Sequence, residues 1–238
     1  MGTPARFPHG VTNAEKEDAL GMLGMPDPTK YHVWFDDFDD FAAAQWVITT
    51  VEAGASSATE AVAAGADGGI LVITNDTNDT DANYLQWSGT DSSTTVETFK
   101  FATGKKLWFK ARWKASDVTD TGLIMGLQIT DTSPTSVSDG VFFYKADTST
   151  TLNLIVVKNS TETSTTAATM VADTYVETAF YYNGKDAIEV WVDGVKKGTS
   201  AVTNLPDDEE LTISFGILNG SAAGHILSID YIFVAKER

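Results

Sequence analysis

Between Leu107 and Ala115 the chain reads Leu-Trp-Phe-Lys-Ala-Arg-Trp-Lys-Ala. Leu107, Phe109, Ala111, Trp113 and Ala115 fall on one parity, and Trp108, Lys110, Arg112 and Lys114 on the other. Successive side chains of a strand point to opposite faces, so this period of two predicts a β-strand with one buried and one wet face. Other runs of strand length are Gly69 to Thr74, Leu123 to Thr130, Val141 to Lys145, Leu152 to Lys158, Val176 to Tyr182, Ile188 to Val192, Leu211 to Leu218 and Ile226 to Val234. Val33, Phe35 and Phe38 open the first strand region. Roughly a dozen strands are expected, separated by Gly, Asp, Asn, Ser and Thr clusters. Ser57 to Ala64 is alanine-rich and ambiguous. Asn183-Gly184 and Asp193-Gly194 are two-residue hairpin signals that join three strands into a meander. Many short strands with frequent turns predict a sandwich, not βαβ units.

Composition agrees. The chain has 238 residues, a length that suits a single all-β sandwich and a real core. It holds 32 Thr and 16 Ser. Thr is β-branched and favours strands, as expected of a secreted or surface-exposed scaffold. There is no cysteine, which excludes disulfides, cysteine nucleophiles and thiolate metal sites. The net charge of −17 makes nucleic acid a poor partner. No apolar run approaches the 18 residues of a membrane span. The first residues carry no apolar stretch, so a secretory signal is not expected. Asn-x-Ser/Thr sequons at Asn75, Asn78, Asn159 and Asn219 are read as chance matches in a Thr/Ser-rich chain.

Residues 1–33 read as an N-terminal arm and 34–238 as the sandwich domain. The arm holds Pro4, Pro8, Pro26 and Pro28, four of the six prolines, which suits extended backbone with turns. Thr12-Asn-Ala-Glu15 matches a capping box and predicts a short helix to about Leu23, stopped by Gly24. A helix this short needs a docking surface, on its own domain or on a neighbouring subunit or host surface. Arg6, Phe7, Pro8 and His9, with Leu20 and Leu23 on one helix face, are the candidate partner-binding residues. The arm carries three basic and four acidic side chains, a balance of −1, which leaves −16 on the sandwich.

No catalytic residue emerges. Gly-x-Ser-x-Gly, HExxH and a phosphate-cradling Gly-x-x-x-x-Gly-Lys are all missing. Glycoside hydrolysis needs two placed carboxylates. Laminarinase-like sandwiches carry Glu-x-Asp-x-x-Glu on one strand; the nearest stretch here, Glu189-Val-Trp-Val-Asp193, has another spacing and lacks the second Glu. A plain strand is the reading of that stretch, and a non-enzymatic protein the expectation. No cofactor and no metal centre are expected. Asp36, Asp37 and Asp39 are the calcium candidates in the densest acidic run, although alternation turns neighbouring carboxylates to opposite faces. Asn75 to Asp81 reads as a turn built from Asx side chains. Trp108 and Trp87 are candidates for an exposed sheet face that could stack on sugar.

Two resemblances add to this. Phe180 to Gly198, with its two hairpin turns, resembles the corresponding region of laminin-G-like and concanavalin-A-like jelly-roll sandwiches. So do the start Phe35-Asp-Asp-Phe38 and the finish Ile229-Asp-Tyr-Ile-Phe-Val234. This implies an all-β jelly-roll sandwich but does not choose among lectin, glycosidase and structural module. Arg6 to Asn13, Pro26 to Phe38, Ala44-Gln-Trp46, Gly104 to Arg112, Gly126 to Asp131, Asp139 to Phe143 and Asn204 to Leu211 resemble a family of virion structural proteins of marine T7-like bacteriophages. Membership implies a capsid decoration or cement protein, made in the host cytoplasm and placed on the outer capsid. Its partners would be the major capsid protein, gripped by the arm, and neighbouring copies of itself in a homotrimer. The alternative is a lectin-like module that binds glycan and attaches virions to cell surfaces.

Overall fold

The computed structural model describes residues 29–54, 57–66, 68–89 and 96–238. The arm residues Arg6, Phe7, Pro8, His9, Leu20 and Leu23, and the helix expected there, lie outside the described residues. The first strand begins at Tyr31.

Fifteen strands among the described residues form two antiparallel sheets packed face to face, an all-β jelly-roll sandwich. The first sheet contains β1 (Tyr31–Asp36), β3 (Thr59–Val62), β4 (Leu71–Thr74), β6 (Leu107–Ala115), β11 (Val176–Tyr182), β12 (Ala187–Val192), β13 (Val195–Ala201) and β15 (Ile226–Glu237). Its order is β13-β12-β11-β6-β15-β4-β3, and β1 also pairs with β15. The second contains β2 (Trp46–Val51), β5 (Ala82–Trp87), β7 (Thr121–Gln128), β8 (Gly140–Lys145), β9 (Thr151–Lys158), β10 (Thr161–Thr169) and β14 (Thr212–Asn219). Its order is β10-β9-β8-β7-β14-β5-β2. Helical structure in the described residues is one 3₁₀ turn, Ala43–Gln45. Within the alanine-rich stretch Ser57 to Ala64, Thr59–Val62 form the strand β3.

The core lies between the sheets. On β6, Leu107, Phe109, Ala111, Trp113 and Ala115 are buried there, and the residues between them are half-buried on the outer face. Burial removes the indole N–H of Trp113 from water, and Thr178 Oγ1 accepts it at 3.0 Å. Each fully buried Leu or Phe side chain here contributes about 1.5–3 kcal/mol.

β15 explains how the sheet closes. Its first part pairs with β4 on one edge, its second part with β1, and β6 runs along the other edge throughout. The register against β6 shifts between Ile229 and Tyr231, leaving Asp230 as the extra residue of a bulge. The inward parity therefore changes from Leu227 and Ile229 to Ile232 and Val234, and all four are fully buried.

The two hairpin signals behave differently. Asp193 and Gly194 take φ of 50° and 71°, and Val192 pairs with Val195. That is the two-residue turn expected, with positive φ at both central residues. The Asn183 turn is longer. Residues Asn183 to Asp186 separate β11 from β12, and Asn183 Oδ1 accepts the N–H groups of Lys185, Asp186 and Ala187. One side-chain oxygen satisfying three donors lets a four-residue loop replace the tight turn.

Candidate functional site: an aromatic groove on the outer face of the first sheet

Alternation sends Trp108, Lys110, Arg112 and Lys114 of β6 outward. Pairing places Tyr181 beside Trp108, Ala179 beside Lys110 and Glu177 beside Arg112 on β11. On β12 the outward positions are Glu189, paired with Tyr181, and Trp191, paired with Ala179. On the other flank Phe233 of β15 lies opposite Lys110. The small Ala179 leaves a depression among these larger side chains. The resulting groove has a volume of about 320 Å³ and is lined mainly by Trp108, Lys110, Tyr181, Glu189, Trp191 and Phe233.

Its aromatic wall is ordered by ring packing. Trp108 and Tyr181 stack with centroids 5.3 Å apart, and Tyr31 meets Trp108 edge-on at 5.8 Å. Charged groups on the rim are held by one another. Lys196 Nζ donates to Glu189 Oε1 at 2.6 Å, and the Trp191 indole N–H donates to Glu189 Oε2 at 3.2 Å. The bond from Lys196 leads in holding the Glu189 carboxyl below the usual carboxylate range. Lys110 Nζ lies 2.8 Å from Glu177 Oε2, and the Tyr231 hydroxyl donates to the same oxygen at 2.6 Å. Partial burial pushes Glu177 up, but these two bonds prevail and hold it ionised to lower pH than usual. Burial and the bond to Glu177 push the Tyr231 phenol up. The bulge residue Asp230 accepts a hydrogen bond from Arg112, whose guanidinium lies 4.2 Å from the Tyr175 ring centroid.

A groove with broad aromatic faces, an apolar floor and fixed donors and acceptors on its rim suits a ligand with both an apolar face and many hydroxyls. Of the two tryptophans considered from sequence, Trp108 lies in the groove. Trp87 does not: it packs against Trp34 and Trp46 at 5.3 and 5.1 Å, at the margin of the core. Tyr181, Trp191 and Phe233 escaped the sequence reading. Strand parity combined with the Asp193-Gly194 turn would have found the first two.

The acidic run lies elsewhere. Asp36 Oδ1 accepts the Phe38 N–H at 2.8 Å, and Phe38 is buried with φ of 54°. Burial raises the Asp36 pKa against that bond, and Asp37, Asp40 and Asp39 add to the rise. Asp36, Asp37 and Asp39 are not among the groups of three carboxylates that converge. The group that does, among the described residues, is Glu52, Asp76 and Asp81, with oxygens within 4.8 Å of one another. Asp81 also ties the loop together: Oδ1 accepts the Ala53 N–H at 2.7 Å and Oδ2 the Asn78 N–H at 3.2 Å.

No family model matches the sequence, and no curated relative matches it. Solved structures do match in fold. A Bacteroides ovatus glycoside hydrolase of family 16, from a mixed-linkage glucan locus and in complex with product, superposes with a TM-score of 0.60 at 14% identity, covering 84% of this chain and 99% of its own. The carbohydrate recognition domain of Emp46p, in a potassium-bound form, gives 0.56 at 10% identity, covering 83% and 93%. Peanut lectin gives 0.55 at 11% identity, covering 87% and 97%.

The expectation of a non-enzymatic protein is corrected by the first of these likenesses, because this fold carries glycoside hydrolases. A single-strand motif such as Glu-x-Asp-x-x-Glu reports only carboxylates on one strand and is silent on those that different strands supply. Strand parity sets Glu177 of β11 and Glu189 of β12 on one outer face, with Glu189 opposite Tyr181, four residues along β11 from Glu177. The chain thus has the jelly-roll fold seen in family 16 glycoside hydrolases and in lectins.

Proposed function

We propose that the chain binds carbohydrate in the groove between Trp108, Tyr181 and Trp191. The observation that carries this reading is the groove itself, an aromatic wall bordered by the Glu189–Lys196 and Glu177–Lys110 pairs. Stacked rings would cover the apolar face of a sugar, and the held carboxylates and amines would exchange hydrogen bonds with its hydroxyls. Lectins and glycosidases among the proteins of similar fold support the reading. Titration calorimetry against a panel of neutral oligosaccharides tests it, with release of reducing ends separating binding alone from hydrolysis. Binding that is lost in Trp191→Ala is expected; an empty panel would contradict it.

The resemblance to phage virion proteins supports a setting for this activity, attachment of a virion to cell-surface glycans. It also supports a second reading, that the arm expected over residues 1–33 anchors the chain to a major capsid protein through its part before β1, residues 1–28. The charge balance favours it: residues 1–28 carry −2 and the remainder carries −15. Deleting residues 1–28 should abolish cosedimentation with particles and leave the sandwich folded. Full occupancy by the truncated chain would contradict it.

A further inference from the structure

At one end of the sandwich, β1 and β15 run past the core, and a cavity of about 450 Å³ opens beyond it. His32, Thr98, Lys236, Glu237 and Arg238 line it. It shares no lining residue with the groove. His32 pairs with Lys236 across the two strands, on the parity that carries Trp34 and Val234 inward. Both side chains therefore enter the cavity from the core side. Thr98 is fixed opposite them: its N–H donates to the Leu211 carbonyl at 3.1 Å, and its Oγ1 lies 3.1 Å from His32 Nε2. The His32 ring packs on Phe99 at 4.8 Å.

Charge here runs against the rest of the molecule. Lys236 makes no ion pair with a carboxylate among the described residues; burial lowers its pKa, Glu210 opposes that, and Lys100 and Lys105 lower it further. Burial, then Arg238 and Lys236, lower the pKa of His32. The two neighbouring carboxylates are engaged. Glu210 lies 3.0 Å from Lys100 Nζ, and Glu237 Oε2 accepts the Lys106 N–H at 2.8 Å. An ammonium, an imidazole, a guanidinium and a hydroxyl thus line one cavity beside a single carboxylate, Glu237, in a protein of net charge −17. Ligand sites typically occupy ~300–1,000 Å³, and this cavity falls in that range.

We propose that this cavity binds a tetrahedral oxyanion, phosphate or sulfate, either free or as an ester on a sugar. His32 and Lys236 enter from the paired strands β1 and β15, and Thr98 faces them from the strand-free segment before Phe99, which suits an acceptor with oxygens in several directions better than a planar carboxylate. Arg238 already donates from Nε to the Tyr31 carbonyl at 3.2 Å, so a charge-assisted bond to Lys236 would supply most of the attraction. An anion beside His32 would favour the imidazolium, so binding should tighten as pH falls. Lys236, Arg238, Lys100 and Lys105 oppose that protonation, and Glu237 and Glu210 favour it.

The test is calorimetry on the full chain with sodium phosphate, sodium sulfate, glucose 6-phosphate and glucose 6-sulfate, each against sodium chloride of equal ionic strength. Saturable binding above the chloride control, weakened at least tenfold in Lys236→Met, is expected. Tighter binding of the esters identifies a sugar ester as the ligand; equal or tighter binding of the inorganic ions identifies the free anion. Absence of saturable binding by all four, or equal binding by Lys236→Met, would overturn the proposal. Should Lys236→Met fail to fold, the His32 ring resonance of the wild type decides. Phosphate should raise its titration midpoint to a plateau, and a midpoint that follows ionic strength alone would overturn the proposal.

Discussion

Lys145 is fully buried on β8, where its ammonium donates to the carbonyls of Thr121 and Ala146, the latter at 3.0 Å. Burial lowers its pKa to about 8, although Asp117, Asp147 and Asp120 pull the other way. The unfolded chain, with an ordinary lysine near 10.5, then binds more protons than the folded one between pH 8 and 10.5. Stability from this group therefore rises with pH across that window. The melting temperature of the wild type relative to Lys145→Met should climb from pH 8 to 10.5, and a constant difference would contradict this. A second residue-scale test is Gly126→Ala on β7. A Cβ there would sit 2.7 Å from the Val141 carbonyl oxygen, against backbone that cannot yield cheaply. A loss of ~1–3 kcal/mol in chemical denaturation is expected. Neither residue announced itself in the sequence. Val141 to Lys145 read as an ordinary strand, because parity assigns a face but not the partners across the sheet.

Among the elements, strands with large apolar residues on one parity were legible, and β6 is the clearest. β10 was not. Its Thr-Glu-Thr-Ser-Thr-Thr-Ala-Ala-Thr lacks large apolar side chains because it is an edge strand exposed over most of its length. An edge strand contributes ladder hydrogen bonds more than core, so hydropathy carries little trace of it. The bulge in β15 could have been seen. Apolar residues at 227, 229, 232 and 234 keep a period of two only if one residue is skipped. This makes a sharp prediction. Deleting Asp230 removes the unpaired residue but leaves Ile229 against Trp113 and Tyr231 against Arg112, so the chain should fold with a modest loss of melting temperature. Inserting an alanine after Tyr231 turns Ile232 and Val234 to the wrong face and should abolish cooperative melting. Equal effects of the two changes in circular dichroism would contradict the bulge assignment.

At the scale of the whole molecule, the sandwich class followed from strand lengths and turns, and the strand order did not. The order requires knowing that β15 joins β1, β4 and β6, pairings more than a hundred residues apart along the chain. The groove was illegible for the same reason, since its rings and carboxylates come from four strands. The net charge of −17 acts at this scale too. Repulsion among unscreened carboxylates destabilises the compact state. Raising sodium chloride from about 0.02 to 0.2 M shortens the Debye length severalfold and should raise the melting temperature; a fall would contradict that reading. The outer face of the first sheet is proposed to bind carbohydrate. The measurement that tests it most directly is the affinity of the wild type, Trp108→Ala and Trp191→Ala for one oligosaccharide found by the panel. A drop of at least tenfold in both variants, about 1.4 kcal/mol, is predicted with their melting temperatures near that of the wild type. Unchanged affinity in both folded variants would contradict it.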